Sequence, residues 1–202
     1  PNCQNYAISQ VGPDDVPYDE CEPEQMVALA RQHHLPTIAY TYTEPLTWIE
    51  YMTDIARLAQ GAGLYNVLVS AGYVNEQPLR DLAPLLDAAN VDLKSFSDET
   101  YRQYNRASLE PVLRTLTILR KAGVHLEVTL LLIPGINTDD AGLHRMFRWL
   151  VDHDMADCAL HISRFFPMYK MQEAPATPLA DMRRAEAIAY DEGIAHVFLG
   201  NV

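Results

Sequence analysis

The sequence predicts an α/β fold built on a parallel sheet. Three observations carry that prediction: short β-branched or aromatic runs alternate with helix-period stretches, glycines recur between a helix and the next strand, and the longest strand runs are almost continuously apolar. The alternation continues without a composition break. With 202 residues at 49% hydrophobic content, a single domain over residues 1–202 can bury a full core.

The elements follow in order. Residues 1–21 read as loop-rich, because Gly12, Pro13 and Pro17 interrupt polar residues of no clear period. Strands are predicted over 37–42, 66–70, 90–93, 125–132, 159–163 and 195–199. Helices are predicted over 23–33, 46–60, 78–88, 109–122, 139–152 and 179–192. Pro23 and Pro45 suit a first helical turn, where the missing N–H costs nothing. Gly63, Gly123 and Gly193 suit the left-handed position that ends a helix, since glycine has no Cβ to clash. The runs Asn66-Val67-Leu68-Val69 and Val128-Thr129-Leu130-Leu131-Leu132-Ile133 fit strands covered on both faces. Periodicity alone does not separate an open doubly wound sheet from a barrel.

Composition narrows the partners. Fifteen basic against 27 acidic residues give a net charge of -12, which repels phosphate backbones and anionic lipid. No nucleic acid and no membrane partner is expected, and without an apolar run near ~20 residues the protein reads as cytoplasmic. Three cysteines, Cys3, Cys21 and Cys158, are an odd, scattered set that argues against a disulfide framework.

In a parallel βα array the working residues lie at the carboxyl ends of strands. There the sequence places Glu44 after the first strand, Ser70-Ala71-Gly72 after the second, Asp92 and Lys94 at the third, Pro134 and Gly135 after the fourth, His161 in the fifth and Asn201 after the sixth. A carboxylate, a lysine beside an aspartate and small polar groups suit a zwitterionic ligand carrying a ribose. Each residue also has a plainer reading. Glu44 before Pro45 can cap a helix, and Asp92 with Lys94 can be a simple ion pair. His33-His34 fits a helix end better than a metal site, Cys21 and Cys158 lack ligand spacing, and Tyr40, Tyr42, Tyr51 and Tyr73 fit packing. Lysine is scarce, with only Lys94, Lys121 and Lys170 present, so one ending an apolar strand stands out.

Laid out in this way, the chain resembles the radical S-adenosylmethionine (SAM) enzymes of the AmmeMemoRadiSam system, relatives of the pyruvate formate-lyase activating enzymes. Cys3-Gln4-Asn5 is similar to the end of that family's Cys-x-x-x-Cys-x-x-Cys-Gln-Asn loop. Ala39-Tyr40-Thr41-Tyr42-Thr43-Glu44-Pro45 resembles its Tyr-Thr-Tyr-Asn-Glu-Pro segment, and Asp87-Ala88-Ala89-Asn90-Val91-Asp92-Leu93-Lys94 its aspartate-lysine strand. Leu109-Glu110-Pro111-Val112-Leu113, Ile133-Pro134-Gly135-Ile136-Asn137, Leu160-His161-Ile162-Ser163-Arg164-Phe165 and Val197-Phe198-Leu199-Gly200-Asn201-Val202 match in order.

The resemblance implies a partial, open TIM-like (β/α)6 barrel of the radical SAM type whose first strand precedes Pro1. It implies a [4Fe-4S] cluster with Cys3 as one ligand, and SAM held by Glu44, Ser70, Gly72, Asp92, Lys94, Thr129, Pro134, Gly135 and His161. An activating-enzyme role, an electron donor such as flavodoxin or ferredoxin, and a protein or small-molecule substrate come with it. The chain departs from the family at Ser70-Ala71 and Leu130, where asparagine is commoner, and at Phe166, where histidine is, so that histidine's contact with SAM is expected to be absent or supplied by His161. Because the chain opens within the cysteine motif, both ends are expected to be cut, the polypeptide alone to lack activity, and its bared sheet edge to favour self-association. Two rival readings remain: a class I aldolase-like barrel using Lys94 as a Schiff base, and a non-catalytic barrel binding a nucleoside-like ligand or a protein.

Overall fold

The computed structural model describes Cys3 and residues 5–202; Pro1, Asn2 and Gln4, which belong to the expected cysteine loop, lie outside the described residues. Six strands, β1 (Thr37–Tyr40), β2 (Tyr65–Ser70), β3 (Ala88–Asp92), β4 (His125–Leu132), β5 (Ala159–Arg164) and β6 (His196–Gly200), form one sheet. Their order is β1-β2-β3-β4-β5-β6, and every neighbouring pair is parallel. A doubly wound sheet reverses its strand order at a switch point, whereas this one never does. Winding in a single direction places the connecting helices on one face, which is the partial barrel. Among the described residues β1 and β6 each pair on one side only, so the barrel is open there.

The strand period of two sorts the side chains. Ile38 and Tyr40, Leu68, Ala89 and Val91, the even positions of β4 from Leu126 to Leu132, and Leu160 and Ile162 are buried with the helices. Burying each large side chain contributes roughly 1.5–3 kcal/mol relative to leaving it exposed. The opposite positions, Asn90, Asp92, Glu127, Thr129, Leu131, His161 and Ser163, face the hollow of the sheet and are only half-buried. In-register pairing sets Asp92 beside Thr129, Thr129 beside His161, and His161 beside Phe198.

Glycine ends three helices as expected, with φ of 74° at Gly63, 78° at Gly123 and 101° at Gly193. Several predicted limits need correction. The first strand stops at Tyr40, two residues early, and a 3-10 turn over Pro45–Trp48 precedes the helix Ile49–Gly61. The helix expected over 78–88 is Glu76–Leu82 followed by a 3-10 turn, Ala83–Leu85, and Ala88 already belongs to β3. Pro84 explains this, because it can neither donate to the preceding turn nor clear it sterically. The loop-rich lead contains two short helical pieces, Tyr6–Ser9 and Pro13–Asp15. After β3 the chain forms a helical turn, Asp98–Thr100, that passes into a π-helical turn, Tyr101–Asn105, where no sequence period marks an element.

Candidate functional site

At the carboxyl ends of β3 to β6 lies a cavity of about 310 Å³. Asp92, Lys94, Thr129, Leu131, Ile133, Ile136, Ser163 and Asn201 line it from the sheet and the loops that follow, and Cys3, Asn5 and Thr43 close one side. Thr100, Tyr104 and Asn105, from the π-helical turn and the residue before it, close the other. Of the predicted site residues, Cys3, Asp92, Lys94 and Thr129 therefore meet at one mouth. Sequence reasoning passes over the π-turn residues altogether. Ser97 is the available signal: a serine followed by two acidic residues is a helix-start pattern, and its hydroxyl caps Thr100 N–H at 3.2 Å.

Asp92 and Lys94 lie two residues apart and pair through Nζ and Oδ2 at 2.7 Å, each side chain more than a third exposed. A pair this wet contributes little to folding, and its two charges stay available to a ligand. Thr129 donates to Asn90 Oδ1 at 2.8 Å, so its hydroxyl turns lone pairs toward the cavity. Cys3 Sγ is 3.3 Å from Ser9 Oγ.

The other predicted residues are placed differently. Glu44 caps its helical turn, accepting from Leu46 N–H at 3.2 Å, and also accepts from Ser70 Oγ at 2.6 Å and Ala71 N–H at 2.8 Å. The carboxylate thus ties the end of β1 to the end of β2. Ser70 is buried, and Gly72 packs so tightly that a Cβ there would meet Val91 at 2.8 Å. Gly135 turns at φ 74° with open space around it, while its neighbours Ile133 and Ile136 supply the apolar wall. His161 faces the hollow, stacks on Phe198 at 5.4 Å, and holds Glu127 Oε2 through Nε2 at 2.8 Å. It does not line the cavity among the described residues.

The donor set fits a zwitterionic nucleoside such as SAM: one ammonium, one carboxylate, the hydroxyls of Thr43, Thr129 and Ser163, and the amides of Asn5, Asn105 and Asn201. A cluster held by three thiolates fits only in part. Cys3 is the single thiol at the mouth, Cys158 is buried before β5 at the other end of the sheet, and no group of three His, Cys, Asp or Glu could hold a metal among the described residues.

A sheet wound in one direction and left open, with its polar groups gathered at the carboxyl end, is the partial barrel on which SAM-dependent radical enzymes are built. The chain belongs to that family: the Radical SAM superfamily profile matches residues 1–147. Members use a [4Fe-4S] cluster and SAM. An uncharacterized protein of Methanocaldococcus jannaschii is 39% identical over 201 residues, covering 100% of this chain and 60% of that protein. The (2S)-3-sulfopropanediol dehydratase activating enzyme of Klebsiella oxytoca is 24% identical over 96 residues, 48% of this chain and 30% of that enzyme. In fold the chain is similar to a domain of a pyruvate formate-lyase activating enzyme from Bacteroides vulgatus, with a TM-score of 0.67, 15% identity, and coverage of 81% of this chain and 98% of that one. Streptococcus suis SuiB bound to SAM gives a TM-score of 0.71 at 7% identity, covering 92% of this chain and 44% of SuiB. The chain thus spans under two thirds of its M. jannaschii relative. Among the described residues no helix is long and apolar enough to cross a membrane.

Proposed function

We propose that this chain is the cofactor-binding core of a radical SAM enzyme that cleaves SAM reductively and abstracts hydrogen from a substrate. The observation that carries this reading is convergence. Cys3, Asp92, Lys94 and Thr129 come from three separate parts of the sequence and line one cavity at the carboxyl ends of a parallel sheet. When bound, the cluster and SAM supply a low-potential electron and a sulfonium whose cleavage yields a 5′-deoxyadenosyl radical.

The chain's own residues bind and orient. Lys94 is the cation for a ligand carboxylate, Asp92 and Thr129 accept from ribose hydroxyls, and Ile133 and Ile136 cover an apolar ring face. Cys3 gives one thiolate, and neither Cys21 nor Cys158 stands at the cavity with it. Glu44 holds the ends of β1 and β2 together through three accepted hydrogen bonds, and a carboxylate's remaining acceptor position is the one for the ligand's amino group that the resemblance implies. An activating-enzyme role in the AmmeMemoRadiSam branch, with a protein or small-molecule substrate and a flavodoxin- or ferredoxin-like donor, rests on the motif resemblance and on the Klebsiella relative. The net charge of -12 favours basic partners over nucleic acid.

The test is anaerobic reconstitution of the full-length protein with iron and sulfide, followed by SAM and dithionite. Release of 5′-deoxyadenosine is expected. A reconstituted protein that releases none, or that is trapped on Lys94 by borohydride with a carbonyl substrate, would replace this reading with the Schiff-base one.

A further inference from the structure

Lys94 stands two residues beyond the end of β3. β3 ends at Asp92, and Leu93 N–H still donates to Thr129 C=O at 2.9 Å, which is the last ladder bond. The peptide groups of Lys94 itself are held by two side chains instead. Its N–H donates to Tyr101 Oη at 3.1 Å, and its C=O accepts from Asn137 Nδ2 at 2.8 Å. Both partners are buried, Tyr101 at 2% exposure and Asn137 at 5%.

Asn137 makes three hydrogen bonds in all, with both amide hydrogens used. Its Oδ1 accepts Ile133 N–H at 2.7 Å, and its second amide hydrogen goes to Leu131 C=O at 2.8 Å. One side chain therefore joins the end of β3 to the end of β4 and to the loop that carries Ile133. Tyr101 opens the π-helical turn whose residues Tyr104 and Asn105 line the cavity, so its hydroxyl couples that wall to Lys94 as well. π-turns inside helices recur at functional sites.

We propose that Tyr101 and Asn137 are positioning residues that clamp the Lys94 backbone from both sides and so aim its ammonium into the cavity. Lysine swings on a flexible four-carbon stem, and only a fixed Cα gives that stem a defined origin. Neither residue touches the ligand; each acts through Lys94. The inference rests on Lys94 being the carboxylate-binding group proposed above.

Tyr101→Phe removes one oxygen and keeps the buried ring, and Asn137→Ala removes the amide. Two measurements on the full-length protein decide the matter. In the ligand-free protein, hydrogen exchange at the Lys94 amide is expected to speed up about tenfold or more in Tyr101→Phe, with the core strands unchanged. In the cluster-loaded protein, titration with SAM is expected to show affinity about tenfold weaker in both variants. Ile188→Ala, a core truncation on the helix Leu179–Asp191, should lower the melting temperature without moving SAM affinity.

The decisive comparison is with Lys94→Met. If the clamp works through Lys94, adding Tyr101→Phe to Lys94→Met weakens SAM binding by less than about twofold further. Losses that multiply in the double variant, or single variants that bind SAM like the wild type, overturn the clamp and leave the cofactor reading intact. A loaded wild-type protein that does not bind SAM overturns both. If Asn137→Ala fails to fold, the Tyr101→Phe measurements alone decide between these outcomes.

Discussion

Glu127 is the carboxylate of β4, and it faces the hollow one step below Thr129. It accepts from His161 Nε2 at 2.8 Å and Asn90 Nδ2 at 3.4 Å, and His125 Nε2 stands 3.7 Å from its other oxygen. Burial pushes this carboxyl up, but the hydrogen bonds from His161 and Asn90, with the charges of His161 and His125, outweigh it and hold it below its ordinary value. A carboxyl depressed on folding gives stability that is present above its unfolded value, about 4.3, and lost as pH falls through its lower folded value. Glu127→Gln is therefore expected to melt below the wild type at neutral pH and to fall less steeply on acidification between about pH 5 and 3. Circular dichroism melts across that range check this, and parallel curves would show that Glu127 carries no linked proton. Cys158 gives a second expectation at the same scale. Burial pushes its thiol up to about 11 despite the nearby Arg120, and only a thiolate alkylates quickly. Iodoacetamide at mildly alkaline pH should label Cys21 well before Cys158, read by peptide mass spectrometry; equal rates would mean that the core around Cys158 opens freely.

Elements show which features the sequence exposes and which it hides. The strands were legible as short apolar runs between helix-period stretches, but not which of their sides meets the helices, since burial alternates along runs that read as apolar throughout; the helix ends were legible at Gly63, Gly123 and Gly193 because few other residues adopt their φ cheaply. Asp92 and Lys94 were legible as strand-end groups, and Cys3 only through the cysteine motif that it resembles. The clamp on Lys94 was not, since Asn137 reaches a carbonyl 43 positions away and no local period encodes that. The π-turn over Tyr101–Asn105 likewise has no repeat to read. Glu44 shows the opposite case, for the plain capping reading describes what its carboxylate does and its further bonds to Ser70 and Ala71 needed the folded register of β1 on β2. Gly72 makes a testable case of such hidden packing. It turns at φ 68°, its carbonyl accepts from buried Thr115 at 2.8 Å, and an added Cβ would meet Val91 at 2.8 Å and Thr115 at 3.4 Å. Left-handed strain of about 1–2 kcal/mol and overpacking of about 1–3 kcal/mol together make Gly72→Ala worth roughly 2–5 kcal/mol of lost stability. Gly63→Ala and Gly123→Ala, with open space around them, should lose only the strain. Urea unfolding of the three variants ranks them, and a Gly72→Ala protein as stable as the other two would show that the Val91 side chain gives way at no cost.

At the scale of the whole molecule, the open sheet sets two opposing tendencies against each other. Among the described residues β1 and β6 each leave one edge without a strand partner, and edges of this kind template pairing with another chain. Apolar side chains stand near both edges on the sheet's open face, with Val69 38% and Phe198 53% exposed. Against association stands the net charge of -12, carried into any dimer twice. Charge repulsion between copies acts over about 8 Å at physiological ionic strength and about 3 Å at 1 M salt, whereas strand pairing and apolar contact act at touching distance. Salt should therefore unmask the edges. A polypeptide of residues 1–202 is expected to be largely monomeric in dilute buffer and to associate increasingly with protein concentration and with salt, followed by sedimentation velocity. Ala39→Lys, which sets a charge on the exposed face of β1, should shift that equilibrium back toward monomer. A species that stays monomeric at every concentration and salt would mean that the edges are already blunted by the shortness of β1 and β6.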